Sequence, residues 1–296
     1  MPGAQPIQLS PRGFAALFAI LFALAAAPVL RAGVLPLVDY PNHLARMGVL
    51  AQLPHAPLLQ RYYDASWAPI PDLAMDAIVP PLLHVLPLET AGHAFVLLTF
   101  LLLAGGAAVL GRVLTGRWSP WPLLAFLLLY SRLLLWGLLN YLFGLGLALL
   151  ALALMSGLER RSAAVRLGVG TVAAFAVYFA HLMAFGVYAA ALAGVAASPP
   201  WRSARASLAR IAVAGAPLVL PLVLLYWGAG EHGGTIAFSA PWRKLDLPFS
   251  VFDLYHRPFD VACFVLWAGG LAWGYWRGWL RLAPSLAVPL ALLFFL

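Results

Sequence analysis

The sequence predicts an all-α fold, a polytopic transmembrane helical bundle of about eight or nine spans. Hydrophobic residues make up 64% of the 296 residues and charged residues only 9%. Apolar runs long enough to cross a bilayer recur along the chain, whereas the short alternating segments typical of a membrane β-barrel do not. We expect residues 1–296 to form a single transmembrane domain, truncated at its carboxy terminus because the last apolar run stops short.

The lengths of the apolar runs predict where the spans lie. At 1.5 Å per residue, Trp121–Gly157 is too long for one crossing of a core of about 30 Å, so it should fold back near Ser131 and Arg132. Leu167–Ala197 should turn near His181 for the same reason. A cleaved signal peptide is the alternative for the first run. Single spans are predicted over Gly13–Leu30, Ala91–Leu110, Ile211–Trp227 and Val261–Trp276, and a ninth run begins at Leu286–Leu296.

Charged residues predict the orientation of these spans. The loops on one side carry most of the arginines and only one acid, Glu159, while the remaining acids fall on the other side. By the positive-inside rule the amino terminus is cytoplasmic, and residues 31–88 and 229–259 are extracytoplasmic loops. The net charge of +8 is thereby explained without nucleic acid as a partner. Lys244 is the single lysine among many arginines, a bias typical of GC-rich bacteria, so we expect a bacterial inner-membrane protein.

The first outer loop contains the densest cluster of polar side chains, from Asp39 to Arg46. Pro41 favours the start of a helix, which places Asp39 at its mouth. At about 100° per residue, Asn42, His43 and Arg46 then share a sector of about 100°. A second helix is predicted over Leu73–Leu86, and we expect both helices to lie at the membrane surface. The simplest alternative is that Asp39 only caps the helix and the other three side chains face solvent.

The predicted topology limits the chemistry open to this cluster. Outside the cytoplasm there are no nucleotide-activated sugars, so a synthetic enzyme there needs a donor carried by a lipid. Phosphate is a good leaving group, so one carboxylate as base and one or two arginines as phosphate ligands would suffice for sugar transfer. Asp39 together with Arg46 or Arg132 meets this requirement.

The segment from Asp39 to Arg46 follows the first span directly, and two surface helices are predicted in the first outer loop. In these features the chain resembles the GT-C superfamily of integral membrane glycosyltransferases. The resemblance, which covers mainly residues 13–160, implies an inverting enzyme of the cell envelope that uses a polyprenyl-phosphate-linked sugar and an acceptor of unknown identity. It implies Asp39 as the base and Arg46 as the phosphate ligand. Two features depart from the family: Tyr40 follows Asp39 where a second acid is common, and the spans are fewer.

The same polar residues allow other interpretations of their roles. Arg132 could bind phosphate or extend to the interface. His181 could position substrate or be satisfied by a backbone carbonyl, and His43 could position substrate or face solvent. No cofactor is required, although Asp39 and His43 could share a divalent metal with His181, His232 or His256. The functional alternatives are a transporter or lipid flippase, in which the cluster binds a solute, and a non-catalytic subunit of an envelope assembly.

Overall fold

The computed structural model describes residues 7–197, 204–228, 247–254 and 256–286, and within these ranges the chain is helical and contains no strand. The helices over the first half are α1 (Pro11–Arg31), α2 (Tyr40–Gln52), α3 (Ala74–Leu82), α4 (Leu88–Thr115), α5 (Phe126–Leu129), α6 (Arg132–Trp136) and α7 (Leu139–Gly157). Those over the second half are α8 (Ala163–Ala180), α9 (Leu182–Ala196), α10 (Ala204–Gly215), α11 (Val219–Gly228), α12 (Leu247–Ser250) and α13 (Arg257–Trp276).

Five helical segments of the described ranges are long and apolar enough to cross a membrane, judged by length and composition. They are α1, α4, α7, α8 and the stretch Leu208–Gly228, which joins α10 to α11. Two further apolar stretches, Trp121–Trp136 and Leu182–Ala196, are shorter. The all-helical, membrane-compatible class is therefore confirmed, but the expected count of eight or nine spans is not. The predicted ninth run, Leu286–Leu296, lies almost wholly outside the described residues.

Two helices, α2 and α3, lie between α1 and α4, in the segment where the sequence predicts two. Helix α2 begins at Tyr40, with Pro41 in its first turn. Helix α3 is shorter than the predicted Leu73–Leu86 and ends at Leu82, because Pro80 and Pro81 cannot donate helical hydrogen bonds and a turn follows them. Both helices bury residues in the main core, including Leu44, Met47 and Val79.

The two longest apolar runs are interrupted at the predicted places. Ser131 separates α5 from α6 and caps α6, its hydroxyl accepting a hydrogen bond of 3.4 Å from the Leu134 amide. Gly137 ends α6 with a φ of +84°, a left-handed conformation that favours glycine. His181 is extended between α8 and α9, with φ −170° and ψ 135°.

Helix α7 is central to the packing and so positions the site. It packs against α4, α8 and α9, while α2 and α3 sit against both α4 and one another. A close contact between α4 and α7 depends on Gly146, since a Cβ there would lie 2.6 Å from the Leu102 Cβ. Tyr40, Phe95 and Leu139 are fully buried in the core beneath α2. The start of α2 thereby meets the carboxy-terminal end of α6, just before α7 begins.

Candidate functional site

Asp39 is held by its backbone rather than by its carboxylate. The Val38 amide donates to the Leu135 carbonyl at 2.8 Å, and the Asp39 amide donates to the Trp136 carbonyl at 3.3 Å, so residues 38 and 39 lie along the end of α6. Asp39 occupies the N-cap position of α2, but its side chain makes no capping hydrogen bond and is exposed. The simple capping role is therefore not observed, and the carboxylate is available to a ligand.

Gly137 and His43 complete the immediate surroundings of Asp39. A Cβ at Gly137 would stand 2.9 Å from the Asp39 backbone nitrogen, so this position leaves no space for a side chain. The His43 Nε2 lies 3.2 Å from the Gly137 carbonyl oxygen, which can only accept, so Nε2 is the donor in this contact. The same glycine therefore contacts Asp39 and orients His43.

Arg132 reaches the Asp39 neighbourhood through Trp136. Its guanidinium lies over the Trp136 ring, 4.8 Å from the centroid, and the Trp136 carbonyl accepts the Asp39 amide. Arg132 Nη1 also donates to Asp253 Oδ2 at 3.3 Å, and Asp253 accepts a second hydrogen bond from Arg257 at 3.2 Å. Asp253 is shared by two arginines, so it offsets only part of their charge.

Arg46 is engaged by a buried partner that the sequence did not suggest. Its Nε and Nη2 donate to the two carboxylate oxygens of Asp76 at 2.8 and 2.7 Å, a bidentate pair. The Asp76 side chain is only 4% exposed, whereas that of Arg46 is 60% exposed. Arg46 and Asn42 line a cavity of about 520 Å³ between α2 and the loop that precedes α3.

A second polar cluster joins the loop before α3 to α7 and α8. Buried Asn140 uses both ends of its amide: Nδ2 donates to the Asp72 carbonyl at 2.9 Å, and Oδ1 accepts from the Met75 amide at 2.8 Å. The Leu73 amide donates to the Phe179 carbonyl at 2.8 Å. These bonds hold Asp72 in a left-handed conformation with φ +75°, which is unusual for a residue other than glycine.

His181 faces Asp72 across this cluster. Its Nδ1 accepts from the Met183 amide at 3.1 Å, and its Nε2 lies 3.8 Å from Asp72 Oδ1. Burial lowers the pKa of His181 below its ordinary value of 6.5, and the Asp72 carboxylate opposes that shift. The imidazole is therefore neutral at pH 7, with its proton on Nε2 directed towards Asp72. The ring edge contacts Tyr141, with centroids 5.2 Å apart.

The structure thus brings together some of the predicted site residues and separates others. Asp39 and His43 both contact Gly137, where α6 ends, whereas Arg132 lies at the other end of α6 and is linked to this place through Trp136. Asn42 and Arg46 lie on the same face of α2 and line the cavity, whereas His181 belongs to the Asp72 cluster. His232 lies outside the described residues. Among the described residues, no group of three or more histidine, cysteine or acidic side chains could hold a metal ion.

Sequence reasoning missed the residues that hold this arrangement. Asp76, Asp253 and Gly137 each contact a predicted site residue from a distant part of the chain. The only available signal was that an acid within a short apolar helix, such as Asp76, is costly to bury without a cationic partner. Nothing in the local pattern indicated which arginine that partner would be.

The fold and the site define a class: a helical chain compatible with a membrane protein, with an exposed carboxylate and a histidine where one helix ends and an arginine at the start of the same helix. Comparison of the chain with protein-family models, with curated proteins and with solved structures found no match. The class therefore rests on the helices and the side-chain geometry described above.

Proposed function

We propose that the protein is a membrane glycosyltransferase that moves a sugar from a polyprenyl-phosphate donor to an acceptor hydroxyl at the extracytoplasmic face. The observation that supports this proposal most is the state of the Asp39 carboxylate. It is exposed and makes no capping hydrogen bond, while its backbone is fixed by hydrogen bonds to α6. A carboxylate used only to stabilise a helix would accept a hydrogen bond from its first turn. A carboxylate that serves as a base must instead remain accessible to the proton it removes.

The proposed reaction needs one base and one phosphate ligand. The acceptor hydroxyl oxygen attacks the anomeric carbon while Asp39 takes the hydroxyl proton, and the bond from the anomeric carbon to the phosphate oxygen breaks. The polyprenyl phosphate leaves with that electron pair, and the sugar inverts at the anomeric carbon. No cofactor is required, because phosphate is already a good leaving group.

Arg132 is the better phosphate ligand of the two arginines considered. Asp253 contacts it through Nη1 alone at 3.3 Å and is itself shared with Arg257, so the charge of Arg132 is only partly offset and can attract an anion. Arg46 is less suitable because Asp76 already occupies its Nε and Nη2 and neutralises its charge. Only its Nη1 remains for a substrate, where it could serve as a hydrogen-bond donor.

The histidines and Asn42 are assigned to binding. His43 directs Nε2 to Gly137, which leaves Nδ1 for a hydrogen bond with a substrate hydroxyl. His181 acts further away, beside Asp72 of the loop before α3. The distribution of arginines supports an inner-membrane protein with a cytoplasmic amino terminus and a site outside, with α2 and α3 at the membrane surface.

The experiment that tests this proposal is sugar transfer by the purified protein in liposomes. Donors should be a panel of polyprenyl-phosphate sugars, with the corresponding nucleotide sugars as the comparison, and the products should be identified by mass spectrometry. The proposal predicts transfer from at least one polyprenyl-phosphate sugar, a large loss with Arg132→Gln and a smaller one with Arg46→Gln. Activity with nucleotide sugars alone would contradict it.

A transporter is the second candidate function, and one observation favours it. The apolar stretch from α8 to α9 is interrupted at His181, whose extended backbone faces Asp72. Interrupted helices with a polar residue at the break are typical of transporter substrate sites. Movement of a labelled polyprenyl-phosphate sugar across the liposome membrane without any transfer to an acceptor would favour this alternative.

A further inference from the structure

The cavity between α2 and the loop before α3 has two kinds of wall. We call it the Trp67 cavity, and it is lined by Asn42, Arg46, Tyr63, Asp64, Trp67 and Asp76, among others. Its polar groups are planar amide, guanidinium and carboxylate groups, which form directional hydrogen bonds. Its aromatic groups offer flat apolar faces. This combination suits a ring that has hydroxyls at its edge and C–H groups on its face, as a sugar does.

The charge of the Trp67 cavity argues against a phosphate ligand. Asp76 cancels the charge of Arg46 through two short hydrogen bonds. Asp64 adds a further negative charge; only its Oδ1 is occupied, by the Ala65 amide at 2.8 Å. The cavity is thus acidic overall and would repel an anion, whereas hydroxyl groups could donate to Asp64 and accept from Arg46 Nη1.

Trp67 also borders an apolar groove. We call it the α3–α8 groove; it has a volume of about 270 Å³. Its walls include Trp67, Ala77, Ile78, Phe143, Ala176 and Phe179. It lies against α7 and α8, two of the helices that are long and apolar enough to cross a membrane. Trp67 and Leu73 line both spaces, so they separate a polar cavity from an apolar groove that runs along predicted spans.

We propose that the Trp67 cavity and the α3–α8 groove form one binding site for an uncharged glycolipid. The sugar head occupies the cavity, stacked on Trp67 and hydrogen-bonded to Asn42 and Asp64, and the hydrocarbon tail lies in the groove. This inference rests on the proposed function in one respect: that function makes the glycolipid the acceptor of the transferred sugar. Binding itself does not depend on that function.

The test is photo-crosslinking of the full-length protein in nanodiscs with a photoreactive dodecyl glucoside. Dodecyl glucoside, dodecyl phosphate and dodecanol, which share one tail, serve as competitors below the concentrations that disturb the nanodisc. We expect the glucoside to compete at least about tenfold better than the other two, equivalent to about 1.4 kcal/mol of head-group preference. Crosslinked peptides should come from α3, α8 and the loop that carries Trp67.

Two variants with matched controls separate the contributions of the sugar head and of the hydrocarbon tail to binding. Trp67→Ala should weaken binding by about fivefold to tenfold, as loss of an aromatic contact predicts, whereas Tyr62→Ala on the same exposed loop should not. Ala176→Trp should fill the groove and abolish crosslinking to α8. Val172→Trp, one turn earlier on the same helix and exposed, is its control. Trp67 is 67% exposed, so its replacement leaves the fold intact.

The result that overturns the inference is equal or better competition by dodecyl phosphate or dodecanol, or unchanged crosslinking in Ala176→Trp. Equal losses in both members of a variant and control pair would also overturn it. Sugar transfer measured in parallel distinguishes the two proposals. Glucoside binding without any transfer contradicts the proposed function alone, and transfer without glucoside selectivity contradicts this inference alone.

Discussion

Gly137 lies directly against Asp39, because a Cβ at Gly137 would stand 2.9 Å from the Asp39 nitrogen and 3.0 Å from its Cβ. The two residues come from opposite ends of the first half of the chain. Their contact is what places the Asp39 carboxylate beside His43 and the end of α6. The position of the proposed base thus depends on Gly137, a residue with no side chain that could take part in the reaction.

Gly137→Ala should therefore impair both stability and activity. Alanine pays about 1–2 kcal/mol for the left-handed conformation and in addition displaces Asp39. Gly116→Ala is the matched control, since Gly116 has φ +72° but open space around it. Thermal unfolding in detergent and sugar transfer should be measured for both. Loss of transfer in Gly137→Ala alone is expected, and equal behaviour of the two variants would contradict the account.

Arg46→Met should destabilise the protein more than Asp76→Leu does. Removing Arg46 leaves the buried Asp76 carboxylate without its partner, at a cost of about 2–4 kcal/mol, whereas removing Asp76 leaves an arginine that is largely exposed. The double variant Arg46→Met with Asp76→Leu should recover most of the stability that Arg46→Met alone loses. The exposed pair Arg132 and Asp253 serves as the control, with an expected effect of about 0–1 kcal/mol. Thermal unfolding of the variants checks this order, and an equal loss for the two single variants would refute it.

The pKa of His181 should lie below 6.5, because burial disfavours the charged imidazole more strongly than Asp72 favours it. Asp72→Asn should lower this pKa further. Nuclear magnetic resonance of labelled histidine, assigned with His181→Gln, measures both values. As the pH falls, the unfolded state binds the His181 proton at a higher pH than the folded state does. The stability gained from the neutral His181 is therefore complete above about pH 6.5 and is lost below it. A pKa above 6.5 would show that Asp72 outweighs burial.

Asn140→Leu should loosen the loop that precedes α3. The substitution removes both amide hydrogen bonds and leaves the buried Met75 amide unpaired, at a cost of about 1–3 kcal/mol. Hydrogen exchange should accelerate at Met75, whereas the amides within α7 after Asn140 serve as the reference. The Leu73 amide, bonded to the Phe179 carbonyl, should be affected less. Unchanged exchange at Met75 would mean that Asn140 does not hold the loop.

The features predicted correctly from the sequence are those that depend on local composition and length. The start of α2 at Tyr40 follows from Pro41, and the interruptions near Ser131 and at His181 follow from apolar runs too long for one crossing. The predicted helix over Leu73–Leu86 extends past the end of α3 at Leu82, because the effect of Pro80 and Pro81 on the helix outweighs its apolar composition. Each of these signals acts within a few residues.

The features that were not predicted depend on contacts between distant segments. Arg46 and Asp76 are separated by a whole loop, and no periodicity indicates that they pair. Arg132 could be recognised as an unusual charge in an apolar run, but its partner Asp253 lies more than a hundred residues later. Gly137 could be identified as a helix end, yet its contact with Asp39 is set only by how α2 and α6 pack.

The most direct test of the central claim is the rate of sugar transfer by Asp39→Asn relative to wild type. Asparagine keeps the size of the side chain but cannot take the acceptor proton. Glu89→Gln, which changes an exposed acid at the start of α4, is the matched control, and thermal unfolding should confirm that all three proteins are folded. The account predicts a loss of at least about a hundredfold in Asp39→Asn alone. A folded Asp39→Asn protein with the wild-type rate would contradict it.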